Sequence, residues 1–348
     1  MNSKHLTIFM VVVTLLSVGC LNDSPGDKDE RVARIPETAD VLLLSNRDTG
    51  GRLKEIYAMD TVHGTLTRIT YSSVHHFMAG VDPSGRYIAA TRMVEDTAPP
   101  QGLGDEDERS LWVIDTHTGE ERRLSPEGAV AEGKSFSPDS EWIVFWMIPQ
   151  GRQTSDIYKV RRDGTELTQL TNTPARNEWD PEWSRDGQRI VFNRYDQTLG
   201  RTLLKSMDTD GNHVRLVHDG GPGVSTPLFP PGNYDPSWSP DGDYVLFDRA
   251  VSYQGEGENW GAGIWRIFRV RVDGTELTDL SVHNQQADAA NYLPSYSPDG
   301  TLIIFSSRYE HEGSLRVDVF TMGPQGGSLV RLTDSRNSVY YDMGAWIP

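Results

Sequence analysis

The chain has 348 residues, one Cys, 33 Gly and 20 Pro, with a formal net charge of −17. That acidity argues against nucleic acid and against electrostatic docking on anionic lipid. A single Cys excludes an internal disulfide framework or a Cys-based zinc site, and a mean hydropathy of −0.51 excludes a polytopic membrane protein.

The first residues have the proportions of an export signal. Lys4 and His5 form a short basic stretch, and Leu6 to Val18 an apolar run too short to span a bilayer. The run ends in Leu16-Ser17-Val18-Gly19-Cys20, which resembles a bacterial lipoprotein lipobox. The resemblance implies cleavage after residue 19, acylation of Cys20, and a lipid-anchored protein in the cell envelope, facing the periplasm or at the cell surface. Residues 20–38 are polar, charged and broken by Pro and Gly, and are expected to form a flexible tether, with a folded domain over 39–348.

From there the chain repeats itself. Trp183-Ser-Arg-Asp-Gly187, Trp238-Ser-Pro-Asp-Gly242 and Tyr296-Ser-Pro-Asp-Gly300 are clear copies. Phe136-Ser-Pro-Asp-Ser140 and Val81-Asp-Pro-Ser-Gly85 are weaker ones, and Trp346 marks a truncated last copy. The anchors lie 55, 47, 55, 58 and 50 residues apart, the size of a propeller blade with loop insertions. Within each unit, Pro and Asp-Gly suit a tight hairpin turn, and alternating runs such as Ile190–Phe192, Tyr244–Phe247 and Ile303–Phe305 follow. Third and fourth strands are expected at Asp156–Val160 and Leu167–Leu170 and at the equivalent places in the other units.

The expected fold class is therefore all-β: a six-bladed β-propeller of four-stranded antiparallel blades. The chain enters at a second strand (Val41) and ends on a first strand (Tyr341 to Ile347). The C-terminal strand is thus expected to complete the first blade and close the ring, leaving no inner edge unpaired. The recurring Trp-Ser-Pro-Asp-Gly motif resembles that of TolB-type propellers, a WD-like group of periplasmic proteins, without the N-terminal α/β domain of TolB. The resemblance covers about residues 39–348 and implies a propeller in the periplasm or cell envelope. Such repeats specify blades and turns rather than a reaction.

Insertions gather on one set of loops, notably 95–109 and 251–263, so that rim is the expected binding face. The starts of the inner strands place His75, His76, Glu178, Asp180, Asn233, Asp235, Asn291, Tyr341 and Asp342 there. Trp179, Tyr234, Tyr292 and Tyr340 interleave with them, and Trp260 lies in an inserted loop. Arg47, Arg92, Arg194, Arg249 and Arg308 sit at the ends of second strands and are expected to face the same mouth. These residues either form a lattice holding neighbouring blades together or line a mouth that takes a peptide segment, loop or sugar. Trp183, Trp238, Tyr296 and Trp346, recurring once per unit, belong to the core.

Catalytic motifs are missing: no Gly-x-Ser-x-Gly elbow, His-Glu-x-x-His or P-loop is present. Asp208-Thr-Asp-Gly-Asn212 has its Gly too early for a calcium loop and reads as a hairpin turn. His75-His76 resembles the inner histidines that hold a metal in propeller lyases acting on oligogalacturonate, but adjacent strand residues point to opposite faces. The expectation is a monomeric, non-catalytic propeller without a cofactor that binds an envelope protein or a glycan. Calcium or a His-bound metal at the mouth stays open, and the alternative is a carbohydrate-active lyase or hydrolase.

Overall fold

The computed structural model describes residues 32–51, 53–93, 109–173, 176–221, 223–253, 263–281, 289–336 and 339–348. Cys20 and Trp260 lie outside them. Among the described residues there is no α-helix, and the strands form antiparallel sheets.

The first sheet runs β24 (Tyr341–Trp346), β1 (Val41–Ser45), β2 (Glu55–Asp60), β3 (Thr65–Arg68). In it the first and last strands of the chain pair: Val41 lies opposite Trp346, and Leu42 opposite Ala345. The second comprises β4 (His75–Val81), β5 (Tyr87–Met93), β6 (Arg109–Asp115) and β7 (Glu121–Arg123). The third comprises β8 (Val130–Phe136), β9 (Trp142–Ile148), β10 (Asp156–Arg161) and β11 (Thr168–Gln169). The fourth comprises β12 (Glu178–Trp183), β13 (Arg189–Asp196), β14 (Arg201–Asp208) and β15 (Arg215–His218). Two further antiparallel runs follow. They are β16 (Tyr234–Trp238), β17 (Tyr244–Ser252), β18 (Ile264–Arg271), β19 (Thr278–Asp279), and then β20 (Ala290–Tyr296), β21 (Ile303–His311), β22 (Ser314–Met322), β23 (Val330–Arg331). One parallel bridge, Trp265 to Ala290, joins these two runs.

The turn motif works through its serine and aspartate. Ser184 Oγ donates to Asp186 (2.6 Å) and accepts the Arg189 N–H (2.9 Å). Ser239 with Asp241 and Tyr244, and Ser297 with Asp299 and Leu302, repeat the arrangement. Gly242 supplies φ +73°, and in the weaker copy Ser140 takes that left-handed place at φ 61°.

Alternation then sends side chains into seams between successive sheets. Ile143 and Phe145 pack against Leu111 and Val113, and Trp183, Ile190 and Phe192 against Trp146 and Ile157. Trp238 and Phe247 meet Val191 and Leu204, while Tyr296 and Phe305 meet Leu246 and Ile267. Val41, Leu43 and Tyr57 of the first sheet pack on Ile304 and Val319 of the last run. Burying large apolar side chains contributes about 1.5–3 kcal/mol each. The folded part also begins before Ala39. Val32, an apolar residue in a polar stretch, is buried against Ile56 and Ile69 and bridges Thr70.

Candidate functional site

At the starts of β4, β12 and β16 the backbone is bonded to the third strand of the preceding sheet or the residue just before it. His76 N–H donates to the Lys54 carbonyl (3.0 Å), Glu178 N–H to Ser155, and Asn233 N–H to Thr202. Ser155 Oγ returns a bond to the Glu178 carbonyl (2.8 Å). The side chains at this position are therefore closed to solvent: His76, Glu178, Asn233 and Asn291 are at most 1% exposed.

Their partners hold the seams. Arg194 Nε donates to Glu178 Oε1 (2.5 Å), and Thr171 also donates to this carboxylate. Arg249 donates to Asn233 Oδ1 (2.7 Å). Arg92 Nε donates to His76 Nε2 (3.3 Å) while the same guanidinium reaches outward to Glu121 on β7. Asn291 Nδ2 donates to the Trp265 carbonyl. Arg47 departs from the expected series. It lies beyond β1, in a turn, exposed, 3.6 Å from Asp48. The chain turns directly after Asn46, so no strand extends far enough to carry Arg47 to the sheet edge.

Tyr234 is also buried. Its hydroxyl donates to the Pro230 carbonyl (2.7 Å), and its ring meets Phe229 and Trp265 edge-on. Tyr341 packs into the seam with Leu43 and Ile304, and the Tyr340 N–H donates to Asn46 Oδ1. His75, Trp179, Asp180, Asp235, Tyr292, Tyr340, Arg194 and Arg308 keep partial exposure. Of the expected mouth residues among the described ones, these are neither fully buried nor freely exposed.

His75 and His76 do not converge. Both lie in β4, so their side chains leave on opposite faces. The Lys54 N–H donates to His75 Nδ1 (3.2 Å), and His76 Nδ1 lies 3.5 Å from Glu55. Among the described residues no set of three His, Cys, Asp or Glu side chains is arranged to hold a metal ion. Asp208 to Asn212 forms a turn between β14 and β15, closed by Asp208 N–H to the Asn212 carbonyl.

Between inner strands lies a narrow cavity lined by Met78, Glu132, Lys134, Asp180, Glu182 and Asp235. Its free volume is about 20 Å³, room for about one water. Burial pushes the carboxyls of Glu132, Asp180, Glu182 and Asp235 up, Asp180 further because Asp235 and Glu132 face it. Asp248, buried behind Asp235 on β17, is pushed up to about 7 by desolvation. Its Oδ2 accepts the Leu293 N–H (2.9 Å). Glu132 also accepts from Arg109 Nη1 (2.6 Å). Towards the edge, burial and Asp342 raise the Tyr292 phenol, and Lys54 Nζ sits 3.1 Å from Asp342. The carboxyls are crowded together, and the gap is too small for a sugar ring or peptide.

Sequence reasoning missed Glu132, Lys134, Glu182 and Asp248, which share no motif. It also missed a hydroxyl clip with a visible signal, an aliphatic residue followed by Thr or Ser at the end of the fourth strand. Thr70, Ser125, Thr171, Ser281 and Thr333 each accept the N–H of a third-strand residue, from Ile56 to Val319.

A scan against protein-family models finds no match. Among curated proteins, an uncharacterized protein of Agrobacterium fabrum is 32% identical over 147 residues, covering 40% of this chain and 46% of that protein. An uncharacterized peptidase of Bacillus subtilis is 29% identical over 171 residues, covering 41% and 24%. The matches span less than half the length of these relatives. Among solved structures, TolB from Acinetobacter baumannii aligns at TM-score 0.63 and 16% identity, over 90% of this chain and 68% of that one. A TolB-like structure from Agrobacterium tumefaciens aligns at 0.59 and 18%, over 89% and 99%. An oligogalacturonate lyase in complex with manganese aligns at 0.55 and 15%, over 86% and 75%. With its four-stranded antiparallel sheets and these neighbours, the chain has the fold of a TolB-like β-propeller.

Proposed function

We propose that the chain is an exported, lipid-anchored propeller of six blades that captures an envelope protein or a glycan at its rim and catalyses no reaction. Pairing of β24 with β1, the seam between the first sheet and the last run, and contacts of each inner strand with the next support a closed ring. The lipobox-like Leu16 to Cys20 supports acylation of Cys20, with residues 1–19 as signal and a short tether behind it.

The observation that carries the rim reading is where the long connections attach. Residues 94–108, 254–262 and 282–288 leave from Met93, Tyr253 and Ser281. Met93 pairs with His75, Ser252 with Ile264, and Trp265 with Ala290, so all three depart from the edge where inner strands begin. Long loops on one edge of a rigid scaffold favour binding. Partly exposed Trp179, Tyr292, Tyr340 and Arg308 supply contact chemistry beside them.

The test is deletion of 96–107 and 254–261, singly and together. Capture of the partner from envelope extract is expected to be lost while the melting temperature stays unchanged. Capture surviving both deletions refutes the rim.

A second reading, a carbohydrate-active lyase, is favoured by the likeness to the manganese-bound oligogalacturonate lyase. Turnover of oligogalacturonate by the purified protein with added manganese, abolished in His75→Ala, would establish it.

A further inference from the structure

We propose that a cleft between the β21–β22 hairpin and the segment after β23 binds a phosphate group. The cleft has a volume of about 260 Å³ and is lined by His311, Glu312, Arg316, Arg331, Asp334 and Arg336. The β21–β22 hairpin lies on the same edge as the long connections, but the lining shares no residue with the rim set above, so the cleft is tested independently of the partner there.

Three guanidinia converge from three stretches of chain. Arg331 and Arg336 share one carboxylate, Asp334. Arg331 also lies 2.9 Å from Asp318, whose oxygens are already taken by Thr333, Ser335 and Tyr309. Among the described residues Arg316 makes no ion pair. Its Nη1 donates to the Ser335 carbonyl, and its Nε is screened from solvent without an acceptor. That guanidinium is partly buried and short of an anionic partner, which a buried or half-buried Arg ordinarily has.

The lining holds three guanidinia against two carboxylates, Glu312 and Asp334, so one positive charge is left over. Asp334 serves both Arg331 and Arg336, which leaves Arg316 as the guanidinium without an ion pair among the described residues. In a chain of net charge −17, a cleft where three guanidinia meet is a local reversal of sign. Guanidinium forks match the paired oxygens of phosphate and carboxylate alike. Several forks approaching from different stretches favour phosphate, which presents acceptor oxygens in several directions where a carboxylate presents one plane.

Isothermal titration of the purified full-length protein with inorganic phosphate tests the site, with acetate as the carboxylate control. Saturable phosphate binding that weakens with salt is expected. Arg316→Gln should weaken it by about tenfold or more, the worth of one charge-assisted contact. Arg336→Gln, at an exposed position, should weaken it less and leave the melting temperature unchanged, which keeps the test valid if Arg316→Gln folds poorly. No saturable heat, equal binding by wild type and both variants, or acetate binding as tightly as phosphate would overturn the proposal. Vesicles of phosphatidylglycerol in phosphatidylcholine distinguish the source. Co-sedimentation reduced by Arg336→Gln supports a lipid headgroup, and phosphate binding without co-sedimentation supports a soluble phosphate.

Discussion

Glu178 and Arg194 face each other across β12 and β13, with Arg194 Nε 2.5 Å from Glu178 Oε1. Glu178 is wholly buried and Arg194 nearly so, and Thr171 donates to the same carboxylate. Glu178→Ala removes the acceptor of two donors and leaves an unpaired guanidinium in the seam. Breaking a buried pair in this way costs about 3–5 kcal/mol. A sharp drop in the denaturant midpoint is expected, largely recovered when Arg194→Met is added.

Asp248 gives a pH dependence whose sign follows from its raised carboxyl. The folded chain holds a proton that the unfolded chain, with a carboxyl near 3.8, has released. Between about pH 4 and 7 the folded state therefore binds more protons, and stability falls as pH rises. Asp248→Asn keeps an acceptor for the Leu293 N–H and removes the charge facing Asp235. It should melt higher than wild type at pH 8, with the gap closing towards pH 4. A gap independent of pH would refute the protonation account.

Thr333→Val tests the hydroxyl clip. The buried Thr333 hydroxyl accepts the Val319 N–H (2.9 Å) and donates to Asp318 (2.9 Å). Valine fills the space but strands both groups, at about 1–3 kcal/mol. Chemical denaturation of the variant should show that loss without a change in slope.

Deleting 341–348 removes β24 and exposes the edge of β1, where Val41 and Leu42 now pair with Trp346 and Ala345. An uncovered apolar edge strand invites pairing with another chain. The truncated protein should elute as aggregate or dimer in size-exclusion chromatography.

Much of the architecture was legible because its causes are local. Ser184, Asp186 and Arg189 complete their turn within six residues, so the motif announces the turn wherever it stands. Runs such as Ile190–Phe192 and Ile303–Phe305 lie inside β13 and β21. The mouth was legible only in part. Period-two alternation places Glu178 and Asn233 at the start of an inner strand, but their destination depends on Ser155 and Thr202 in the sheet before.

The amino-acid order alone specified an all-β chain of recurring strands and turns, since turn chemistry and alternation act between residues a few places apart. Tertiary structure decided which polar residues close seams and which stay open. It buried His76, Glu178 and Asn233, crowded Asp235 against Asp248, and brought Arg316, Arg331 and Arg336 to one cleft. Burial and charge proximity are properties of neighbours distant in sequence, and only packing sets those.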